Sequence, residues 1–179
     1  MPTSIYTQLE DAVRAVALIA NTNNSSTPII FSHQPGSEPA TSYIVINVLA
    51  IDQIGGSSIS ALLNKNNKTD VRVVYEALVQ FSFYGPVSGK ISNDFYHLLN
   101  SPSALEAMSK ENIALMRKTR LRRNPQRRET QWIDSFNFDT TFNYIVNTPV
   151  TAVPIEHVVI EEQYAGNRVT TIPPFPPTP

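Results

Sequence analysis

The sequence predicts an α+β domain, in which a mostly antiparallel sheet is flanked by two or three helices. The first observation is apolar spacing typical of a helix at the start of the chain and again after residue 88. The second is clean alternation of apolar and polar residues over Val71 to Tyr84 and over Trp132 to Val146, which is typical of strands. The third is a length of 179 residues, which suits one domain with a sizeable core.

The first part of the chain predicts one helix and two strands. The helix is indicated by five apolar residues at helical spacing: Ile5, Leu9, Ala12, Val13 and Val16. Pro28 to His33 predicts a short strand. Ser42 to Ile51 carries β-branched residues on both faces and therefore predicts a central, well-covered strand.

The segment from Asp52 to Asp70 loses this periodicity and predicts a long loop or arm. Two polar, turn-rich stretches flank a small apolar island formed by Ile59, Leu62 and Leu63. A connection of this length between strands is usually functional or disordered. One interpretation is an arm that docks on a partner, which would remove the island from water; disorder is the alternative.

The rest of the chain predicts two helices, three strands and a tail. The elements are a helix through Ile91 to Leu99, a short helix at Ser103 to Glu106, and strands over Ile113 to Arg122, Trp132 to Val146 (with a bulge or bend) and Val158 to Ile160. The tail, Ile172 to Pro179, is too rich in proline for a sheet and predicts extended polyproline. We therefore expect one domain over residues 1–165 and an extended tail over residues 166–179.

Composition excludes several classes of protein. The formal net charge is −1, which argues against a surface built throughout to hold nucleic acid or an anionic membrane. The absence of cysteine excludes disulfides, thiolate metal sites and thiol catalysis. There is no apolar run of roughly 18 residues and no signal-peptide pattern, so we expect no membrane span and folding in a cytoplasm.

No motif indicates an enzyme. Gly85 to Lys90 resembles a phosphate-binding loop, but its glycines are too close together and Ile91 follows the lysine, so a strand-to-helix turn is the better interpretation. The three histidines lie far apart in the sequence and form no metal-ligand motif: His33, His97 and His157. Glu161 and Glu162 would point to opposite faces of a strand, the wrong geometry for a paired acid and base. The sequence predicts no catalytic residue, no metal ion and no cofactor.

The strongest local signal is a cluster of basic residues. Seven residues, half of all Lys and Arg, follow one another without an intervening acid: Arg117, Lys118, Arg120, Arg122, Arg123, Arg127 and Arg128. Arginine suits bidentate contact with carboxylate or phosphate. In order of preference, the cluster docks on an acidic protein surface, protects a sheet edge, or contacts nucleic acid. No stacking aromatics are interleaved with it, which weakens the third interpretation.

Asp134 is the one unusual acid, because it shares the parity of the aromatic residues in its predicted strand. A charge on that face requires a partner. We expect an ion pair, with an arginine of the preceding strand as the candidate partner.

The order of elements resembles the tail (neck) terminator proteins of tailed bacteriophages. The residues that carry the resemblance are a strand ending in Val79 to Gly85, a helix leading to Ser101 to Leu105, a basic strand, the stretch Trp132 to Asp139, and a closing strand with Ile160 and Glu161. The likeness spans roughly Ile5 to Glu161. The 52–70 connection and the Pro-rich tail look like additions to the family pattern.

The resemblance implies a non-enzymatic virion protein at the tail–neck junction, assembled in the host cytoplasm. It implies a homo-oligomeric, six-membered ring that caps the tail tube, ends its growth and meets the head connector, with the sheath protein as a further partner in contractile tails. DNA would pass through the ring without sequence-specific contact. A ring requires two different complementary patches on each subunit. We assign one to the basic cluster and the other to Ile59–Leu63, with Phe175 as an anchor on a neighbour; a nucleic-acid-binding domain remains the alternative.

Overall fold

The computed structural model describes residues 4–63, 68–128 and 131–151. The predicted last strand (158–160), the Pro-rich tail with Phe175, and His157, Glu161 and Glu162 lie outside the described residues. Within the described part, one layer of helices packs on one face of a sheet, as predicted for an α+β domain.

The described residues contain three α-helices: α1 (Ile5–Ala20), α2 (Ser88–Leu98) and α3 (Pro102–Lys110). Apolar residues of α1 at helical spacing face the core, where Leu9, Val13 and Val16 are buried. Helix α3 begins after Ser101, whose side chain accepts a hydrogen bond from the Ala104 amide at 3.3 Å. All three helices confirm predicted elements.

Seven of the described strands form one sheet, with the path β1–β2–β4–β9–β5. The strands are β1 (Ile29–Phe31), β2 (Tyr43–Gln53), β3 (Ser58–Leu63), β4 (Lys68–Tyr84), β5 (Ile113–Lys118), β6 (Arg122–Arg123) and β9 (Ser135–Thr151). Strands β7 (Gln126–Arg128) and β8 (Gln131–Ile133) form a separate pair. Only β1–β2 is parallel among the described pairings.

Strands β4 and β9 pair along their whole length, from Lys68 opposite Thr151 to Tyr84 opposite Ser135. We call residues 77–84 of β4 and 135–142 of β9 the inner half of this pair, and residues 68–76 and 143–151 the outer half. The inner half is covered by the helices: Phe81, Phe83 and Phe138 are buried with Phe95 of α2. Among outer-half residues whose side chains are described, only Tyr144 is buried.

The 52–70 connection differs from the predicted loop. Strand β2 extends to Gln53, β4 begins at Lys68, and between them β3 pairs antiparallel with β4, Ser58 lying opposite Arg72. Strand β3 thus continues along the same side of β4 that β2 occupies. The prediction missed it because residues 58–63 do not keep a regular alternation of polar and apolar types.

Two other predicted strands are interrupted. The strand predicted over Ile113 to Arg122 divides into β5 and β6. Between them, the Thr119 amide still donates to the Asp139 carbonyl at 2.8 Å, and the Thr119 hydroxyl accepts a hydrogen bond from the Asp139 amide at 2.9 Å. The bend predicted within Trp132 to Val146 lies at Asp134, between β8 and β9. The predicted central strand β2 is well covered only in its first half, where Ile44 and Ile46 are buried.

The turn from β4 into α2 confirms the structural interpretation of Gly85 to Lys90. Gly85 has φ +100°, and a Cβ at this position would lie 2.7 Å from Ser42 Cα. The Ser42 hydroxyl accepts a hydrogen bond from the Val87 amide at 3.2 Å. A glycine is therefore required here by a close approach of two backbones.

Candidate interaction surfaces

The basic cluster is distributed over β5, β6, β7 and the connections between them, so its side chains do not share one face. Lys118 is the clearest departure from the predicted docking surface. Its ammonium donates to the Tyr96 carbonyl at 2.6 Å and lies 4.0 Å from the centre of the Tyr96 ring. Burial lowers the pKa of Lys118. This side chain holds β5 against α2, and it is not part of a free surface.

Two arginines of β6 are engaged in ion pairs. Arg123 pairs with Asp134 at 2.7 Å, which confirms the predicted ion pair of that carboxylate with an arginine of the preceding strand. Asp134 itself is not deeply buried, because the break between β8 and β9 releases it from the aromatic face. Arg122 pairs with Asp139, which also accepts a hydrogen bond from Gln80 at 3.0 Å across the sheet. These pairs fasten β6 to β9.

Arg117, Arg120 and Arg127 remain exposed, and none makes an ion pair within the described residues. Arg117 lies opposite Thr141 on the sheet face away from the helices, at the β5 edge. Arg127 lies opposite Trp132 in the β7–β8 pair. Of Arg128 only the backbone in β7 is described. We call Arg117, Arg120 and Arg127 the basic edge.

The opposite edge of the sheet carries an acidic pair that the sequence analysis missed. Asp52 of β2 lies directly opposite Glu76 of β4, and both are exposed. Like charges placed opposite each other on antiparallel strands destabilise the pair. Neither carboxylate makes an ion pair within the described part of the chain. The two acids lie 24 positions apart in sequence, so only the strand register could reveal them.

Exposed apolar residues accompany the acidic pair. Strand β1 covers β2 only from Ile44 to Ile46, so the second half of β2 is an edge among the described strands. Leu49 and Ile54 on this edge are 46% and 43% exposed. The predicted patch Ile59, Leu62 and Leu63 lies in β3, which continues the same edge; its side chains are outside the description. We call Leu49, Asp52, Ile54 and Glu76 the acidic edge.

A groove of about 720 Å³ lies at the other end of the sheet, beyond the inner half. Tyr43 and Tyr84 stack there with ring centres 5.1 Å apart, and the Tyr43 hydroxyl donates to the Glu38 carboxylate. Burial, and secondarily the neighbouring Tyr84, raise the pKa of Tyr43. Trp132, 71% exposed, lines the groove beside them. The sequence analysis assigned Trp132 to a buried aromatic face; in the structure it belongs to the separate β7–β8 pair.

The described residues show no arrangement that indicates catalysis or metal binding. No group of three or more His, Asp or Glu side chains in the described ranges could hold a metal ion. His33 lies 3.6 Å from Glu10, and His97 is exposed in the last turn of α2. No helix in the described part is long and apolar enough to cross a membrane.

A comparison with known protein families agrees with the resemblance found in the sequence. A sequence profile for the family described as phage neck terminator protein matches residues 3–168. No curated protein sequence matches this chain. Among solved structures, the chain is similar to the PVC sheath/tube terminator of an extracellular contractile injection system in its extended state. That similarity has a TM-score of 0.49 and 11% sequence identity, and it covers 93% of this chain and 67% of the other.

Proposed function

Because this chain belongs to the family of phage neck terminator proteins, we propose that it forms a ring that caps the tail tube, ends tube polymerisation and joins the tail to the head connector. The family match over residues 3–168 is the observation that carries the proposal. Membership implies a structural protein at the end of the virion tail. The ring, its six-fold number and its contact with the connector are the proposed parts.

A closed ring needs a heterologous interface, in which two different patches of one subunit are complementary. The two edges of this sheet supply such a pair. Arg117 and Arg120 of the basic edge lie in and just after β5, and Arg127 lies in the β7–β8 pair. The acidic edge lies along β2 and the adjacent β4, on the opposite side of the strand order. Contact between the basic edge of one copy and the acidic edge of the next would relieve the repulsion between Asp52 and Glu76. The same contact would bury Leu49 and Ile54.

This arrangement revises the predicted ring contacts. Arg122 and Arg123 are engaged with Asp139 and Asp134, and Lys118 is engaged with Tyr96, so we assign the contact to the three exposed arginines. The predicted Ile59–Leu63 patch is retained, because β3 extends the acidic edge. The tail tube protein, the connector and, in a contractile tail, the sheath protein would bind the two axial surfaces of the ring, and DNA would pass through its centre.

Reversing the charges tests the ring contact. One variant carries Arg117→Glu, Arg120→Glu and Arg127→Glu; a second carries Asp52→Lys and Glu76→Lys. Each alone places like charges across the proposed interface, and we expect each to convert rings to monomers in light scattering after gel filtration and in negative-stain images. The variant with all five substitutions restores opposite charges, and we expect its rings to return.

Helix α3 offers a matched control, because Glu106 and Lys110 form an exposed ion pair and neither residue belongs to the basic or the acidic edge. Exchanging these two residues, Glu106→Lys with Lys110→Glu, reverses two charges and should leave assembly unchanged. Rings that persist in both edge variants would refute the assignment of the contact. A wild-type protein that stays monomeric, alone and with tail tubes, would refute the ring itself.

A nucleic-acid-binding role is the rival that uses the same arginines. Three of the seven basic side chains already have partners within the chain, so at most four remain for phosphate groups. Titration with duplex DNA at two salt concentrations separates the two functions. Micromolar binding that falls steeply with salt would favour the rival, whereas absence of binding at physiological salt favours the structural role.

A further inference from the structure

The groove beyond the inner half is an exposed surface next to Arg127 of the basic edge, which lies opposite the lining residue Trp132. Pro39, Pro86 and Ile133 line it with apolar atoms, and the rings of Tyr84 and Trp132 also face it. The Arg123–Asp134 ion pair borders the groove, since Asp134 is one of the residues that line it. The backbone around it is held by the Gly85–Ser42 approach and by the Tyr43–Glu38 hydrogen bond. The groove is therefore preformed.

Trp132 is what distinguishes this groove from ordinary surface. It is the single tryptophan of the chain, and 71% of it is exposed. An exposed indole beside prolines and tyrosines is typical of sites that bind Pro-rich segments, because such segments present a rigid, extended surface that packs on aromatic rings. The ring N–H of tryptophan can also donate to the carbonyls of a polyproline helix, which make no internal hydrogen bonds.

We propose that this groove binds the Pro-rich tail, residues 172–179, of a second copy of the chain, with Phe175 as the anchor. The tail sequence, Ile-Pro-Pro-Phe-Pro-Pro-Thr-Pro, has the composition that such a groove accommodates. It contains no charged residue, so it can enter beside Asp134 without an unpaired charge. The groove would then be the site at which the predicted anchor, Phe175, binds a neighbouring copy.

Chain length favours a second copy over the chain's own tail. Strand β9 starts next to the groove at Ser135 and ends at Thr151, and its 17 residues span about 50 Å. The twenty residues 152–171 would have to return over this distance, whereas a flexible chain of that length has a root-mean-square span of only about 25 Å. The proposal depends on the proposed function in one respect: assembly of the ring brings copies of the chain close to one another.

The single tryptophan makes the proposal directly measurable. A full-length variant with Pro173, Pro174, Pro176 and Pro177 changed to Ser keeps Trp132 but loses the polyproline tail. We expect its Trp132 emission to be red-shifted relative to wild type at high protein concentration. A synthetic peptide with the sequence of residues 168–179 should shift the emission back in a saturable titration. The same peptide carrying Phe175→Ala should bind about tenfold more weakly, as loss of an aromatic anchor typically causes.

The contribution of the groove residues is measured by the fluorescence anisotropy of a fluorescein-labelled form of the same peptide. Trp132→Ala should weaken peptide binding about tenfold or more, without changing the far-ultraviolet circular dichroism of this exposed site. Trp132→Phe, which keeps an aromatic ring, should retain part of the binding. The matched control is Met116→Ala on β5, another exposed apolar residue, which is not among the residues that line the groove and should leave binding unchanged.

Failure of the peptide to shift Trp132 emission, or equal binding by the Trp132→Ala variant, would overturn the proposal. Wild-type emission that stays blue-shifted on dilution to monomer would show that the chain's own tail occupies the groove, and would overturn the assignment to a second copy. These outcomes are independent of ring images. The peptide acts on a single subunit, so a protein that makes no rings can still bind it.

Discussion

The two halves of the β4–β9 pair have the same backbone pairing and opposite surroundings. In the inner half, one face lies under the helices, and the residues that point there, such as Phe81 and Phe138, are fully buried. In the outer half the ladder continues in register, but no described residue beyond Tyr144 is buried. The backbone hydrogen bonds of a sheet therefore continue well past the region where burial stabilises it.

The difference indicates that the two halves of the β4–β9 pair have different roles. The inner half supplies folding free energy through its apolar face. The outer half adds little burial within the subunit, and it includes a feature that is costly in isolation: Glu76, whose carboxylate lies opposite that of Asp52 in β2. Features of this kind are expected where a surface is completed by another copy.

The largest expected effect lies in the inner half. Phe138 is fully buried, and its ring centre lies 5.0 Å from that of Tyr96 and 5.4 Å from that of Phe81. Phe138→Ala removes these contacts and leaves a cavity, so the free energy of unfolding should fall by about 3–5 kcal/mol. Urea denaturation followed by circular dichroism measures the change. A loss below about 1 kcal/mol would contradict the assignment of the core to this half.

A smaller effect, dependent on pH, is expected at Tyr43. Its folded pKa is raised, so the stability it contributes is present below pH 10 and is lost as the pH rises through the raised value. Tyr43→Phe should cost about 1–3 kcal/mol at pH 8, through loss of the hydrogen bond to the Glu38 carboxylate. It should also reduce the fall in stability above pH 10. Urea midpoints at pH 8 and pH 11 measure both effects.

Tyr144, where the outer half begins, provides the comparison for that experiment. Burial is the larger cause that raises the pKa of Tyr144, and the negative charge of Glu111 raises it further. The wild-type protein should therefore lose stability above pH 10 through both tyrosines. Its hydroxyl donates to Gln8 at 3.3 Å. Tyr144→Phe should remove a further part of the alkaline loss. Unchanged pH dependence in both variants would contradict the burial of these two phenols.

The smallest effect on the folding of the subunit is expected on the acidic edge. Leu49 is 46% exposed, so Leu49→Ala should change the free energy of unfolding of the monomer by no more than about 0.5 kcal/mol. The same substitution should weaken the ring, measured by dilution in gel filtration with light scattering. A large loss of monomer stability would mean that Leu49 is supported within the subunit, and its assignment to the ring contact would be wrong.

Much of the inner half could be predicted from the sequence, because burial on one face imposes a period that is visible locally. The alternation through Phe81 and Phe83, the helical spacing through Ile91 and Phe95, and the need of Asp134 for an arginine all have their cause within a few residues. Each of these predictions is confirmed by the burial and contacts observed.

The candidate surfaces could be predicted only in part. Seven basic residues are obvious in the sequence, but which of them are free depends on Tyr96, Asp134 and Asp139, which strand pairing brings to them. The acidic edge depends on the register of β2 with β4, and the groove depends on the break that separates Trp132 from the buried aromatic residues. None of these contacts produces a periodic pattern among neighbouring residues in the sequence.

By itself, the sequence determined the α+β class, the order of the helices and long strands, the aromatic core face and the resemblance to tail terminators. The tertiary structure decided which charges are neutralised, where β3 continues the edge of β2, and which aromatic ring is left in water. The physical reason is that secondary structure reflects the alternation of burial along neighbouring residues. A surface, in contrast, is set by strand register and by the packing of residues far apart in the chain.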